Sequence, residues 1–268
     1  MPEIHSTAVI KPSAQIEDSV SIGPYCVVGD NVSLGAGVNL KSHVVVDGYT
    51  TIGEGTVVHP FVSLGLPPQH AEFRGEPSTL VIGMNNSIRE HVTMHPGTER
   101  GRMTTTVGDN CLFMVGSHVA HDCIIANDVI LTNNVALGGH VVVDEFAMIG
   151  GLSGIHQYVR VGKHSMIGGC SAVESDVIPY GSVKGNRARL SGLNVIGLRR
   201  RGFSREDIRS LRTAYGLLFS QGSNMADRIS EVAELFSDHP GVMDVVEFIR
   251  ADSSRAVCQP LSSNGNGS

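Results

Sequence analysis

A stride of six residues constrains this chain more than any other feature. From Ile10, every sixth position reads Ile16, Ile22, Val28, Leu34, Leu40, Val46, Ile52, Val58 and Leu64. A second run gives Ile82, Ile88 and Met94. After a slip of one residue a third runs Val107, Phe113, Val119, Ile125, Leu131, Leu137, Val143, Ile149, Ile155, Val161, Ile167 and Val173. Of these 25 positions 23 are Ile, Val or Leu, which a non-repeating sequence does not produce. A period of six fits neither a helix, at 3.6, nor a flat sheet, at 2. It fits a solenoid in which each hexad is a short strand plus a turn, three hexads close one triangular coil, and coils stack as parallel strands about 4.8 Å apart. Residues 18 apart then lie one above another. About nine coils are expected between residues 4 and 180.

Composition agrees with such a prism. There are 32 Gly, no Trp and only 5% aromatic residues, so the core must be aliphatic. Glycine often follows the column residue, as at Gly23, Gly53, Gly83, Gly138 and Gly168, where a tight corner needs positive φ or a missing Cβ. Hydrophobic residues at 41% exclude a disordered chain, and no apolar run reaches the roughly 18 residues that span a bilayer. The opening MPEIHSTAVIKPSA shows no basic segment followed by an apolar one, so no secretory signal is expected. Five scattered cysteines without a CxxC pair argue against a disulfide framework and a cysteine zinc site, and point to the cytoplasm.

Two insertions break the repeat, near 66–81 and 99–106. Loops raised from a rigid scaffold often carry function; the shorter one is equally compatible with a tolerated excursion. The period ends near Pro179, and after Gly185 the pattern is helical. Ser204 with Asp207 opens one amphipathic segment, and NMADRISEVAELFS and GVMDVVEFIRA give two more. The chain therefore divides into a prism over 1–184, a helical domain over 185–251 and a tail over 252–268 expected to be disordered. The fold class is mainly β: a left-handed parallel β-helix of hexapeptide repeats, the handedness following from the resemblance below, with a C-terminal α-helical cap.

Charge is uneven. Nine basic residues between Lys184 and Arg212 face two acidic ones, a local +7 in a chain of net −6. A solvated helix face is the ordinary explanation of such a cluster; beside a cleft it would attract phosphates or an acidic protein. It is too short and too poor in aromatics to argue for nucleic acid.

The 18-residue rule also sorts the histidines. It stacks His121 on Gly139 and Gln157, Asp122 on His140 and Tyr158, and Ala120 on Gly138 and His156. All share one edge across three coils. An imidazole at His121 oriented by Asp122 would serve as a general base, and the Gly139 amide could meet a developing oxyanion. Zinc is an alternative, since His118 and His121 could supply two ligands. The gamma-class carbonic anhydrases, however, carry an HxxxxH pair, and no two histidines here stand five apart. An ice-binding or scaffold prism would instead show monotonous threonine-like faces.

Together the segments VGDNV, LKSHVVVDG, GEPSTLVIG, IREHVTMHPGT, HVAHDC, LGGHV, GGLSGIHQ, IGGCS and GLRRRGFSRE resemble the acyl-ACP–UDP-N-acetylglucosamine O-acyltransferase family over essentially the whole ordered chain. The resemblance implies a left-handed β-helix working as a homotrimer at the first step of lipid A synthesis. It implies a 3-hydroxyacyl donor carried as the phosphopantetheine thioester of acyl carrier protein, with no other cofactor and no metal. His121 would be the general base, Asp122 its orienting partner and the Gly139 amide the oxyanion donor. His118, His140 and His156 would line the hexose and acyl pocket, and Gln157 would contact uracil. Asn194, Arg200 and Arg201 would contact the nucleotide phosphates or the carrier. Gly169 falls where the family sets acyl length, and a missing side chain there favours C12–C14 over C10. The first loop reads Gln69-His70-Ala71-Glu72 where the family commonly has Asp and Lys, and Ile196 replaces a usual Glu. His70 is thus a candidate for sugar binding, and the 3-amino analogue of the sugar nucleotide is the alternative acceptor.

Overall fold

Each hexad forms a two-residue strand and a turn, and the strands of successive coils pair in parallel. A computed structural model describes residues 1–222, 224–251 and 255–261. The strands make three sheets of 11, 9 and 8 members, the three faces of a left-handed β-helix. Between uninterrupted coils the register advances by 18, as in Ser21↔Asn39 and His118↔Ala136. Across the first insertion it advances by 30, as in Val57↔Ser87, and across the second by 25, as in Thr93↔His118. The first loop thus adds two whole hexads and leaves the hydrophobic column in phase. The second adds seven residues, which accounts for the one-residue slip.

The aliphatic column faces inward: Leu34, Val46, Ile52, Leu64, Leu131 and Ile149 are fully buried. A second inward column, two residues earlier in each hexad, escaped the sequence analysis. It holds small side chains: Val38, Val44, Thr50, Thr56, Val62, Cys123 and Val135, all fully buried. In several coils a polar member of this column donates to a carbonyl of the coil above. Cys123 Sγ reaches Gly138 O at 3.2 Å, Cys111 Sγ reaches Ala126 O at 3.2 Å, and Ser153 Oγ reaches Gly168 O at 3.0 Å. These cysteines are core residues, and burial pushes the Cys123 thiol up to about 12.

The glycines after the column carry a different lesson from positive φ. Of those named above none lies in the left-handed region; the left-handed corner positions, one before the small inward residue, are held by side chains such as Tyr25, Phe61, Asp122, His140 and Tyr158. What the column glycines provide is space. A Cβ on Gly53 would lie 2.6 Å from the carbonyl oxygen of Gly83 on the next coil, closer than the stacking of coils tolerates.

The helical part begins later than residue 185. Gly181–Lys184 extends one sheet, and Arg189–Leu193 folds back on it antiparallel, because Gly185 turns the chain at φ 103°. The reversed strand closes one sheet's open edge. Four helices follow: α1 (Val195–Arg200), α2 (Arg205–Leu218), α3 (Met225–Leu235) and α4 (Pro240–Ala251). Ser204 caps α2 with a full capping box to Asp207. Part of the tail is ordered: Val257 and Pro260 form bridges to Asp176 and Leu190, and Val257 and Cys258 are buried. Apolar contact with the last coil accounts for that order. Residues 252–254 and 262–268 of the expected disordered tail lie outside the described residues. Among the described residues no helix is long and apolar enough to cross a membrane.

Two substitutions test this packing. Leu131→Ala should cost about 2–5 kcal/mol through the cavity it leaves. Gly53→Ala should cost about 1–3 kcal/mol by forcing two coils apart. Thermal midpoints compared with wild type check both, and an unchanged midpoint for Gly53→Ala would show that the coils can separate freely.

Candidate active site

One edge of the prism gathers His118, His121 and Asp122 with His140 and His156. The strand His118–Val119 ends at a corner where His121 and Asp122 follow, with Asp122 at φ 60°. His121 Nδ1 and Asp122 Oδ2 are 2.8 Å apart. With Nδ1–H committed to the carboxylate, Nε2 is left as an acceptor. Gly139, one coil on, lies against the ring: a Cβ there would stand 2.6–2.7 Å from Cε1 and Nε2 of His121. The Gly139 carbonyl accepts from Tyr158 N at 3.0 Å, whereas its N–H has no partner among the described residues.

Asp122 is fully buried, and every lone-pair direction of its carboxylate is occupied. Oδ1 accepts from Thr98 N (3.1 Å) and Arg102 N (2.7 Å); Oδ2 accepts from Thr98 Oγ1 (2.7 Å) and His121. Burial alone would raise this carboxyl, but the donors from Thr98, His121 and Arg102 outweigh it and hold it below the usual carboxylate range. His121, Asp122 and His140 bring three potential ligand atoms within 4.8 Å. A metal at Asp122 would have to displace donors already in place, so the set fits a hydrogen-bonded dyad better than a cation.

The dyad opens on a cavity of about 510 Å³, lined by His118, His121, Gly139, His156 and Gln157 together with Gln69, His95 and Glu174. Its floor is a row set by sheet register: His118, Ala136, Gly154 and Ala172 stack in successive coils. The small side chains leave a trough parallel to the prism axis. His118 turns its Nδ1 to Thr93 Oγ1 at 2.8 Å, and burial holds it down to about 4. His140 flanks the dyad without lining the cavity. It stacks on Tyr158 at 4.3 Å and stands edge-on to His121 at 5.1 Å, and burial lowers its pKa. From the first insertion His70 also meets His121 edge-on, at 4.9 Å.

Comparisons with known proteins match this architecture. Residues 176–258 fit the family model described as UDP-N-acetylglucosamine O-acyltransferase, domain 2, and residues 13–48 fit the bacterial transferase hexapeptide model. An acyl-[acyl-carrier-protein]–UDP-N-acetylglucosamine O-acyltransferase of Caulobacter vibrioides is 52% identical over 96% of this chain and 98% of its own length. The chain belongs to that O-acyltransferase family. The protein of the same name from Thermodesulfovibrio yellowstonii is 46% identical over 97% of this chain and 100% of its own. The crystal structure of UDP-N-acetylglucosamine O-acyltransferase from Moraxella catarrhalis superposes with a TM-score of 0.92 at 40% identity, covering 96% of this chain and 99% of that one.

For an O-acyltransferase of this family, the remaining sequence candidates fall outside the cavity. Asn194 caps α1, accepting from Gly197 N at 3.1 Å and donating to His164 O at 2.9 Å. Arg201 lies over the Phe146 ring and donates to Phe146 O at 3.0 Å, while Arg200 is exposed. The basic cluster instead forms a groove of about 570 Å³ lined by Arg199, Arg205, Arg209 and Arg212. Gly169 stands on a different edge, against the Gly151 carbonyl, 3.2 Å from where its Cβ would be. Thr98 and Arg102 were not among the candidates from sequence, although a loop inserted one coil before HVAHDC was the available signal. Nor was Arg255, whose Nη2 is 3.4 Å from Nδ1 of the cavity residue His156.

Burial also sets a pH response. His118 and His164 are both held down to about 4, against 6.5 when free. Between those values the unfolded chain binds protons that the folded chain refuses, so stability rises with pH there and is lost as pH falls from 6.5 toward 4. Thermal midpoints across that window should fall with acidification. His164→Gln should flatten the slope; an unaltered slope would remove His164 from the account.

Proposed function

We propose that this chain transfers a 3-hydroxyacyl group from acyl carrier protein to the 3-hydroxyl of UDP-N-acetylglucosamine, the first step of lipid A synthesis. The observation that carries the proposal is the His121–Asp122 pair set against the free Gly139 amide at the head of a trough of small side chains. A nucleophilic hydroxyl needs a base, a thioester carbonyl needs an oxyanion donor, and an alkyl chain needs an unobstructed apolar channel. The three occur together here.

In the proposed reaction His121 Nε2 takes the proton of the sugar hydroxyl as its oxygen attacks the thioester carbon. The carbonyl oxygen becomes an oxyanion facing the Gly139 N–H. The intermediate collapses, the carbon–sulfur bond breaks, and the proton held by His121 leaves with the phosphopantetheine thiol. Asp122 stays ionised and holds the imidazolium. No further cofactor is required by this chemistry. His118, kept neutral by burial, and His156 and Gln157 then contact the sugar nucleotide, with His140 supporting the dyad from the side.

The outer wall of the cavity is missing from one chain, since His156, Gln157 and Gly154 are exposed. A homotrimer would supply that wall, bringing Asn194, Arg200 and Arg201 of a neighbouring copy to the nucleotide and the Gly169 edge to the acyl chain. With no side chain at residue 169 the channel stays open, favouring a C12–C14 chain. The groove of Arg199, Arg205, Arg209 and Arg212 has the charge to receive the acidic carrier protein. The prism over 1–184 is then the catalytic unit and the C-terminal part over 185–251, with its four helices, the docking unit, acting in the cytoplasm.

A second acceptor, the 3-amino analogue, is favoured by one observation: His70 lies against the base in a loop that departs from the family pattern, and Ile196 is exposed where the family has Glu. Purified enzyme given both acceptors should turn over UDP-N-acetylglucosamine faster; tenfold preference for the amino sugar reverses the assignment. His121→Ala should lower turnover by roughly two to four orders of magnitude, the usual general-base contribution, without changing oligomer size in sedimentation. Near-normal turnover would exclude His121 as base.

A further inference from the structure

We propose that the second insertion is a clamp on the dyad, with the Thr98 hydroxyl as the positioning group that holds Asp122 and, through it, the ring of His121. The inference rests on the acyl-transfer reading above. It adds a residue that touches neither substrate nor the reacting atoms.

The clamp is visible in how completely one loop occupies Asp122. A carboxylate at a β-helix corner would ordinarily point to water, because corner side chains project from the prism. Here the segment 98–105 folds over it. Thr98 N and Arg102 N bind Oδ1, Thr98 Oγ1 binds Oδ2, Arg102 Nη1 reaches the Asp122 carbonyl at 3.3 Å, and the Asp122 N–H donates to Thr105 Oγ1 at 2.8 Å. Gly101 makes this approach possible: a Cβ there would lie 2.3 Å from Cγ and from both carboxylate oxygens of Asp122. The loop therefore has one residue without a side chain where the carboxylate passes.

Thr98 Oγ1 differs from the other donors. It shares Oδ2 with His121 Nδ1, so it fixes the oxygen that orients the imidazole and also competes with that imidazole for the same lone pairs. Losing it should loosen the ring and leave the carboxylate freer to stabilise the imidazolium. The other titratable or charged groups facing the dyad are His70 from the first insertion, Arg102 from the second and His140 from the next coil. All three remain when Thr98 changes.

The test compares full-length wild type with Thr98→Val, which deletes the donor at constant volume, and Thr98→Ser, which restores it. Thr98→Val should lower kcat by about 10- to 100-fold, the factor for losing one donor to a charged group, with KM within about threefold. The acid limb of the kcat profile should move up by about half a unit to one unit. Thr98→Ser should recover both. Gly101→Ala, which pushes the loop off the carboxylate from the backbone side, should shift the acid limb in the same direction even if Thr98→Val folds poorly. A Thr98→Val enzyme within threefold of wild type with its acid limb unmoved overturns the clamp, as does loss of kcat that Thr98→Ser fails to recover. Failure of the functional reading would look different: wild type would acylate neither acceptor. The NMR titration of the His121 ring would then still decide the clamp, its midpoint moving in Thr98→Val if the clamp is real and standing still if it is not.

Discussion

The ladder of parallel backbone hydrogen bonds between successive coils is the constraint on which the rest of the molecule depends. Each coil must repeat the path of the one below within a strand spacing of about 4.8 Å, so the inward positions of the hexad favour a narrow range of sizes. Two positions point inward, one mostly aliphatic and one small, and in several coils the next residue is a glycine pressed by the next coil's carbonyl, as at Gly53. The chain compensates for its shortage of aromatic side chains by repetition of these small choices. A polar member of the small column is accommodated where the next coil offers a carbonyl, as it does for Cys111, Cys123 and Ser153 among the valines.

Much of this was readable from the stride alone, because an 18-residue repeat converts sequence spacing directly into contact. The stacking of His121 on Gly139, and of Asp122 on His140 and Tyr158, needed no more than counting, and the insertions announced themselves as a gap in the column and, for the second, a slip of phase. What counting could not supply is conformation. Left-handed backbone was expected of glycine, yet Asp122, His140 and Tyr158 adopt it. Such residues ordinarily cost about 1–2 kcal/mol each, and here the corner N–H groups regain a bond to the coil before, as His140 N does to His121 O at 3.0 Å. The antiparallel strand Arg189–Leu193 and the return of Val257 to the last coil were hidden because neither follows a period.

That left-handed corner has a functional consequence. It turns the side chain of each corner residue outward along the edge, so whatever chemistry the edge holds is displayed in register from coil to coil. The aromatic stacking of His140 on Tyr158, and of His121 edge-on between His70 and His140, follows from that geometry and limits how far the His121 ring can swing. Its surroundings are fixed by the backbone before any substrate arrives.

An edge that displays side chains cannot by itself bury them, and a carboxylate such as Asp122 orients an imidazole firmly only when it is shielded from water. A β-helix has no layer outside its three sheets. A loop that leaves the repeat and returns over the corner can exclude water there, and the second insertion does so at Asp122 while His156 and Gln157, two coils further on, stay exposed. The cavity is thus closed by its own chain at the dyad and open along the trough. Closure of that open side requires a surface the single prism does not possess. A second copy of the same straight-edged prism, laid alongside, has the matching length and repeat to provide it.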